Sequence, residues 1–330
     1  MSNSYLNYLR PIIRLMPAVG QPKKHISLKR KIMWSAGILV LYFSLSQVTM
    51  YGIGSGAQDY FESLRAVLAG RQGSLLTLGI GPIVTASIVL QLLQGSNMIS
   101  LDMNNPADKS LFQGTQKLLG IFLSFFEGAL YVIAGGLGTT TSPTHIVILV
   151  VQLGIGGTLL VYMDEVVSRW GVGSGISLFI AAGVSSTIMT RAFSPLRSET
   201  ILTSGGERAI TGAIPAFINS VLQGSPQFMR GQGLADMVQL AFTLIIFAGV
   251  IYIQGMKVEI PLSYGRMRTR GRYPLKFIYT SVLPVILASA LFMDVQLIAR
   301  VLYNNFGISI LGVVQDGNIV SGFASYFNPP

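Results

Sequence analysis

Ser74 to Leu93 reads SLLTLGIGPIVTASIVLQLL, twenty residues without a charge, and this stretch sets how the rest of the chain is read. A run of that length crosses the roughly 30 Å hydrocarbon core of a bilayer as a helix. Gly79, Gly81 and Pro82 interrupt it. Proline removes a backbone donor and glycine permits close approach, so a kink or a thin wall is expected within one spanning helix over 75–93. Part of the run returns further on. Pro82 to Leu90 (PIVTASIVL) lies over Pro284 to Phe292 (PVILASALF), with Pro, Ala and Ser coinciding.

The surrounding composition agrees with a lipid-facing chain. Of 330 residues, 51% are hydrophobic and 11% charged, and the mean hydropathy is +0.58. Soluble domains carry roughly 25% charged residues. Seven spanning helices are read, over 33–53, 75–93, 118–134, 146–163, 174–190, 237–253 and 277–299. The absence of cysteine excludes disulfides and thiolate metal sites, and no cofactor is expected. Met1 to Pro22 lacks the charged, apolar and small-residue order of a cleavable signal, so the first apolar run is expected to stay in the protein.

Most of the 23 Lys and Arg fall before the first span, in 257–276, and in the other connections that share their side. By the excess of basic residues on the inner face, the N-terminus is cytosolic, and the net charge of +10 is mainly topological. The two Pro-centred helices then run in opposite directions, and inverted repeats of this kind point to a central path between two halves.

The expected organisation has four parts. Residues 1–32 form a cytosolic segment with an amphipathic helix over 4–16, lying at the interface, and a basic stretch. Residues 33–193 are an N-terminal half of five helices. Residues 194–236 are an external connection with a helix at 209–222. Residues 237–330 are part of a C-terminal half, with helices six and seven, a basic cytosolic loop at 257–276 and an external hairpin at 306–327 turning at Asp316-Gly317-Asn318. Between the first two spans, residues 59–70 (DYFESLRAVLAG) form a short helix between glycine hinges, which reads as a re-entrant element or as an ordinary external loop helix.

Several residues invite a functional reading. Ile80 and Val84 lie at i and i+4, Ile176 and Ile180 repeat that spacing, and Ile286 is the repeat partner of Val84. By spacing alone, packing or lipid contact accounts for all five. Glu127 and Asp294 are acids at membrane depth, where such groups face a cavity or a partner unless they snorkel to an interface. Lys257, Arg266, Arg268, Arg270, Arg272 and Lys276 stand against the single Glu259, denser than topology requires. A secondary transporter would share the repeat and the acids, but apolar faces suit a small polar substrate poorly. Gly171-Val172-Gly173-Ser174-Gly175 sets a serine among glycines without the spacing of a nucleophile elbow. The two histidines, His25 and His145, are badly placed to serve Ser174 as base, so an enzyme is not expected.

Ser74–Leu93 resembles the first signature of the SecY family, the pore subunit of the Sec protein-conducting channel, and Tyr162–Ile180 (YMDEVVSRWGVGSGISLFI) resembles the second. VEIPLSYGR (258–266), YPLKF (273–277) and PVILASALF (284–292) are similar to archaeal members. The resemblance implies an all-α polytopic membrane protein, an inverted-repeat SecY-type helix bundle with a re-entrant plug helix and a small external β-hairpin. Ten helices would complete it, so the chain looks truncated after the seventh. It further implies a pore ring of Ile80, Val84, Ile176, Ile180 and Ile286. Asp59, Tyr60, Phe61, Glu62, Ser63, Leu64, Arg65, Ala66, Val67 and Leu68 match the plug. Thr85, Glu127 and Asp294 match a polar cluster at the lateral gate, although related members carry an amide where this chain has Asp294. Arg266, Arg268, Arg270 and Arg272 would contact ribosomal RNA. The implied partners are SecE-type (gamma) and small beta-type single-span subunits, the ribosome, signal sequences, nascent polypeptides and lipid, at the cell (plasma) membrane.

Overall fold

The computed structural model describes residues 8–22, 25–54, 56, 65–99, 101–138, 142–202, 208–231, 233–262, 271–278, 283–315 and 318–327. The chain divides into two compact units, one of residues 1–184 with 283–330 and one of residues 185–282. Five helices are long and apolar enough to cross a membrane: Pro106–Ile133 (α5), Pro143–Trp170 (α6), Gly175–Phe193 (α7), Met237–Gly255 (α9) and Pro284–Phe306, most of α10 (Leu283–Phe306). The chain is a multi-pass membrane protein.

The first unit begins with α1 (Arg10–Leu15) and α2 (Leu28–Gln47). None of the α1 residues is buried, which suits an interfacial helix. After α3 (Arg65–Leu68) comes the first correction to the sequence reading. The second spanning helix does not start at residue 75. Residues 75–80 are turns, and the helix α4 is Gly81–Gly95. Gly79 takes φ +58°, a left-handed conformation that ends helical propagation backwards, and Pro82 falls in the first helical turn, where its missing N–H costs nothing. The expected kink is therefore a helix start. At 15 residues, α4 is about 22 Å long and falls short of the core thickness by itself.

α5 reaches much further back than residue 118. Asn105 accepts a hydrogen bond from the Ala107 N–H at 3.1 Å, and Pro106 occupies the first helical position. α5 and α6 cross closely because small residues face one another. A methyl on Gly157 would lie 2.4 Å from Ser124 Oγ, and one on Gly128 would lie 3.1 Å from Leu153 Cβ. The Ser124 hydroxyl is itself satisfied by the Gly120 carbonyl at 2.8 Å.

On one end of this unit, residues 17–20 run as a strap across α5 and α6. Lys117 donates to Glu165 Oε2 and to the Pro17 carbonyl, both at 2.5 Å. Arg169 pairs with Glu165 Oε1 at 2.8 Å and donates to the Val19 carbonyl. The Val19 N–H donates to Glu165 Oε1, and Trp170 Nε1 donates to the Gly20 carbonyl at 2.9 Å. Ile13 of α1 packs on Gly114 of α5.

The expected terminal hairpin is present as β5 (Val313–Gln315) paired antiparallel with β6 (Asn318–Ser321); its turn, Asp316-Gly317, lies outside the described residues. Ile319 and Ala324 bury themselves with Ala299 of α10.

The second unit holds a pairing that the sequence reading missed, Arg197–Leu202 (β1) with Arg208–Ile210 (β2). The helix expected at 209–222 is α8 (Ala213–Leu222). Arg230 ties this connection together, donating to the carbonyls of Ile210 at 2.6 Å and Ala235 at 3.4 Å while its N–H donates to Asp236 Oδ1 at 2.7 Å. Burial pulls the Arg230 guanidinium below its ordinary pKa, and the Asp236 carboxylate opposes that shift. The stretch 257–276, read as a loop, is a β-hairpin. Lys257–Leu262 (β3) pairs in register with Gly271–Lys276 (β4) from Lys257↔Lys276 to Leu262↔Gly271. Val258, Ile260, Tyr273 and Leu275 supply the β-branched and apolar alternation that a strand favours, obscured in the sequence by the prolines within the strands and the basic residues that flank them.

Candidate functional site

The five aliphatic residues of the expected ring come from three helices and the turn before α4. Ile80 is the N-cap of α4, and Val84 lies in its first turn. Ile176 and Ile180 lie at the start of α7, and Ile286 at the start of α10. The fold brings all five into one hydrophobic cluster. Ile80, Val84 and Ile286 are buried there, whereas Ile176 and Ile180 are half-buried. Leu160, Phe179 and Tyr42 complete the wall around them.

Of the expected plug, Asp59, Tyr60, Phe61, Glu62, Ser63 and Leu64 lie outside the described residues, and Arg65 to Leu68 form α3. The end of this segment sits against the ring. Leu68 and Ala69 are buried, and Ala69 belongs to the same cluster as Ile80. The Ile80 N–H, which α4 cannot satisfy from within, donates to the Leu68 carbonyl at 2.8 Å. The approach is so close that a methyl on Gly79 would stand 2.0 Å from that same carbonyl oxygen. Tyr42, which the sequence reading did not single out, stacks on Phe179 at 5.3 Å and donates its hydroxyl to the Ala69 carbonyl at 2.6 Å.

Thr85, Glu127 and Asp294 are also brought together, on α4, α5 and α10. Thr85 Oγ1 donates to Asp294 Oδ2 at 2.8 Å. A hydroxyl has one proton to give, so Glu127 receives none from it. Glu127 is only 2% exposed, and neither of its carboxyl oxygens has a hydrogen-bond partner among the described residues. Its Oε2 lies against Gly81, where an added methyl would stand 3.4 Å away. Gly81 is the first residue of α4, so the positive end of that helix faces the carboxyl group. One turn further along α4, Ser87 accepts from Gln116 Nε2 at 2.5 Å, a polar link between α4 and α5 absent from the sequence reading.

Of the four arginines expected to meet RNA, Arg266, Arg268 and Arg270 lie outside the described residues. Arg272 is on β4, exposed, and paired with Glu259 at 2.9 Å. The hairpin thus carries one of its cations in a solvated ion pair.

A family model described as SecY matches residues 74–328, and one described as the plug domain of Sec61p matches residues 40–73. The protein translocase subunit SecY of Pyrococcus horikoshii is 48% identical over 322 residues, covering 95% of this chain and 69% of that protein. A solved protein-conducting channel superposes with a TM-score of 0.80 at 42% identity, covering 96% of this chain and 68% of the other. Sec61 in a canine ribosome–channel complex from the endoplasmic reticulum gives 0.79 at 42% identity, covering 96% and 69%.

Proposed function

The chain belongs to the SecY family, and on that premise we propose that it is the central pore-forming subunit of the Sec translocon, passing unfolded secretory polypeptides across the membrane and releasing transmembrane segments sideways into lipid. The observation that carries the proposed site is the convergence of Ile80, Val84, Ile176, Ile180 and Ile286 on one apolar cluster closed by Leu68 and Ala69. An aliphatic constriction offers no fixed hydrogen-bond partner, so a chain of any sequence can slide through it, while small ions meet a dewetted barrier.

Among the described residues, hydrogen bonds from Tyr42 to Ala69 and from Ile80 to Leu68 join the end of the plug to the ring. Each contributes about 1 kcal/mol net, so a translocating chain can displace them. The lateral gate is the Thr85–Glu127–Asp294 cluster, where α10 meets α4 and α5. A polar cluster buried between helices sets how apolar an arriving segment must be to part them.

The hairpin 257–276 is the contact for the ribosome, through Arg266, Arg268, Arg270 and Arg272, with affinity that falls steeply as salt rises. SecE-type (gamma) and beta-type single-span subunits, signal sequences, nascent chains and lipid are the remaining partners. The N-terminus faces the cytosol, at the plasma membrane, and 1–32, 33–193, 194–236 and 237–330 are its working segments. These assignments are supported by the excess of basic residues on one face and by the two family-like signatures.

The test is resting conductance. With Ile80 and Val84 both replaced by glycine, the full-length channel complex in planar bilayers is expected to leak ions in its idle state. An unchanged leak would sink the ring assignment. Co-purification separates the remaining readings, since a channel subunit brings single-span partners and, at low salt, ribosomes, whereas a transporter shows saturable solute uptake.

A further inference from the structure

The helix that contributes two of the five ring residues meets the first unit along one face. Within the first unit, only Gly175, Phe179 and Ala182 of α7 are buried, a single narrow stripe. The connection from α6 is short: the Val172 N–H donates to Ser35 Oγ at 2.9 Å, and Gly173 takes φ +76° where the chain turns into α7. Ser174 stands at the N-cap position, since its carbonyl accepts the Leu178 N–H at 3.1 Å, and Ser174 is exposed. Ile176 is then the second helical residue, one of the first four whose N–H groups the helix leaves unpaired.

That N–H is not left to water. Asp164, six residues from the end of α6, accepts it on Oδ1 at 3.0 Å. The two helices touch at the same place, because a methyl on Gly175 would stand 2.6 Å from both Asp164 Cα and Asp164 Oδ1. The neighbouring acid, Glu165, is engaged in the opposite direction with Lys117 and Arg169. A capping oxygen usually comes from the N-cap residue itself, three or fewer positions away. Here it is supplied from another helix, so it fixes the position of α7 relative to α6 as well as its first turn.

We infer that Asp164 is a positioning residue for the constriction: its carboxylate, reaching from α6, caps α7 across the helix–helix contact and holds Ile176 at its place in the ring. The inference rests on the ring reading above. It adds that closure on this side depends on one cross-helix cap, which releases when α7 moves outward to admit a chain.

The experiment uses the full-length channel complex in planar bilayers, with hydrogen–deuterium exchange of the peptide 171–182 as a second readout. Loss of a cap shifts a local equilibrium roughly fivefold, so Asp164→Ala is expected to raise idle leak about that much and to speed exchange at 171–182. Asp164→Asn keeps an oxygen that accepts the Ile176 N–H and is expected to stay near the parent channel in both. Gly175→Ala leaves the carboxylate but forces the helices apart, and is expected to leak as Asp164→Ala does. The inference is overturned if Asp164→Ala leaves leak and exchange unchanged, or if Asp164→Asn leaks equally, since charge rather than capping would then matter. A parent-like Gly175→Ala channel overturns it even where Asp164→Ala fails to assemble. Ile80→Gly measured alongside separates the two ideas: leak there without leak in Asp164→Ala leaves the ring standing and removes only the cap.

Discussion

Two glutamates in the same unit, one half-buried and one buried, live under opposite rules. Glu165, at the strap, meets Lys117, Arg169 and the Val19 N–H, so every part of its carboxylate is answered. Glu127, between α4, α5 and α10, is more deeply buried and has no hydrogen-bond partner among the described residues. Buried ionisable groups that are fully paired fix a structure, and breaking such a set leaves charges stranded. A buried carboxyl without partners raises the free energy of the packed state and is retained for what happens when that packing opens. The strap acid is fully answered; the acid at the proposed gate is not, among the described residues.

The contrast can be broken most directly at Glu165. Replacing it by Gln leaves Lys117 and Arg169 close together with only the Pro17 and Val19 carbonyls as partners, and a loss of about 2 kcal/mol in unfolding free energy is expected for the channel complex in detergent. Glu127→Gln is the matched change. Removing an unanswered charge while keeping the shape should leave stability unchanged or raise it by about 1 kcal/mol. A loss as large as that of Glu165→Gln would show that the Glu127 carboxylate is answered after all, and the contrast would fail. The same variant should also alter the hydrophobicity a signal segment needs for membrane insertion, which scanning inserted segments of graded apolarity would measure.

Tyr42→Phe tests the plug end at smaller scale. It removes one hydrogen bond to Ala69, so about 1 kcal/mol less holds the plug end, read as faster exchange at 65–70. The smallest effect is expected at Arg272→Ala. The pair with Glu259 is solvated on both sides, so stability should change by less than about 1 kcal/mol. Ribosome affinity should nonetheless fall and its salt dependence flatten. A large stability loss there would make the hairpin pair structural, like the strap.

The legible parts of this chain are those whose signal is local. Hydropathy located α5, α6, α7, α9 and α10, because lipid imposes its demand on each segment independently. The Asp-Gly-Asn signal located β5 and β6 for the same reason. Where the reading slipped, a local signal was present but read with the wrong weight. Gly79 and Pro82 read as a kink within a helix, but Pro near a helix start and a glycine just before it equally mark a beginning. In 257–276, prolines and flanking charge hid the alternation of Val258 and Ile260 against Tyr273 and Leu275.

Sequence alone determined that this protein spans the membrane several times and which aliphatic and acidic residues stand where a soluble protein would not place them. Those conclusions follow from transfer free energies, which depend on the residue and its immediate neighbours. Only the tertiary structure decided which carboxylates are answered. Val19 and Glu165 are 146 positions apart, Thr85 and Asp294 are 209 apart, and Asp164 reaches Ile176 only because two glycines let α7 turn back beside α6. A hydrogen bond is made or missed over a few tenths of an ångström, and that distance is set by packing between helices, which no single segment encodes.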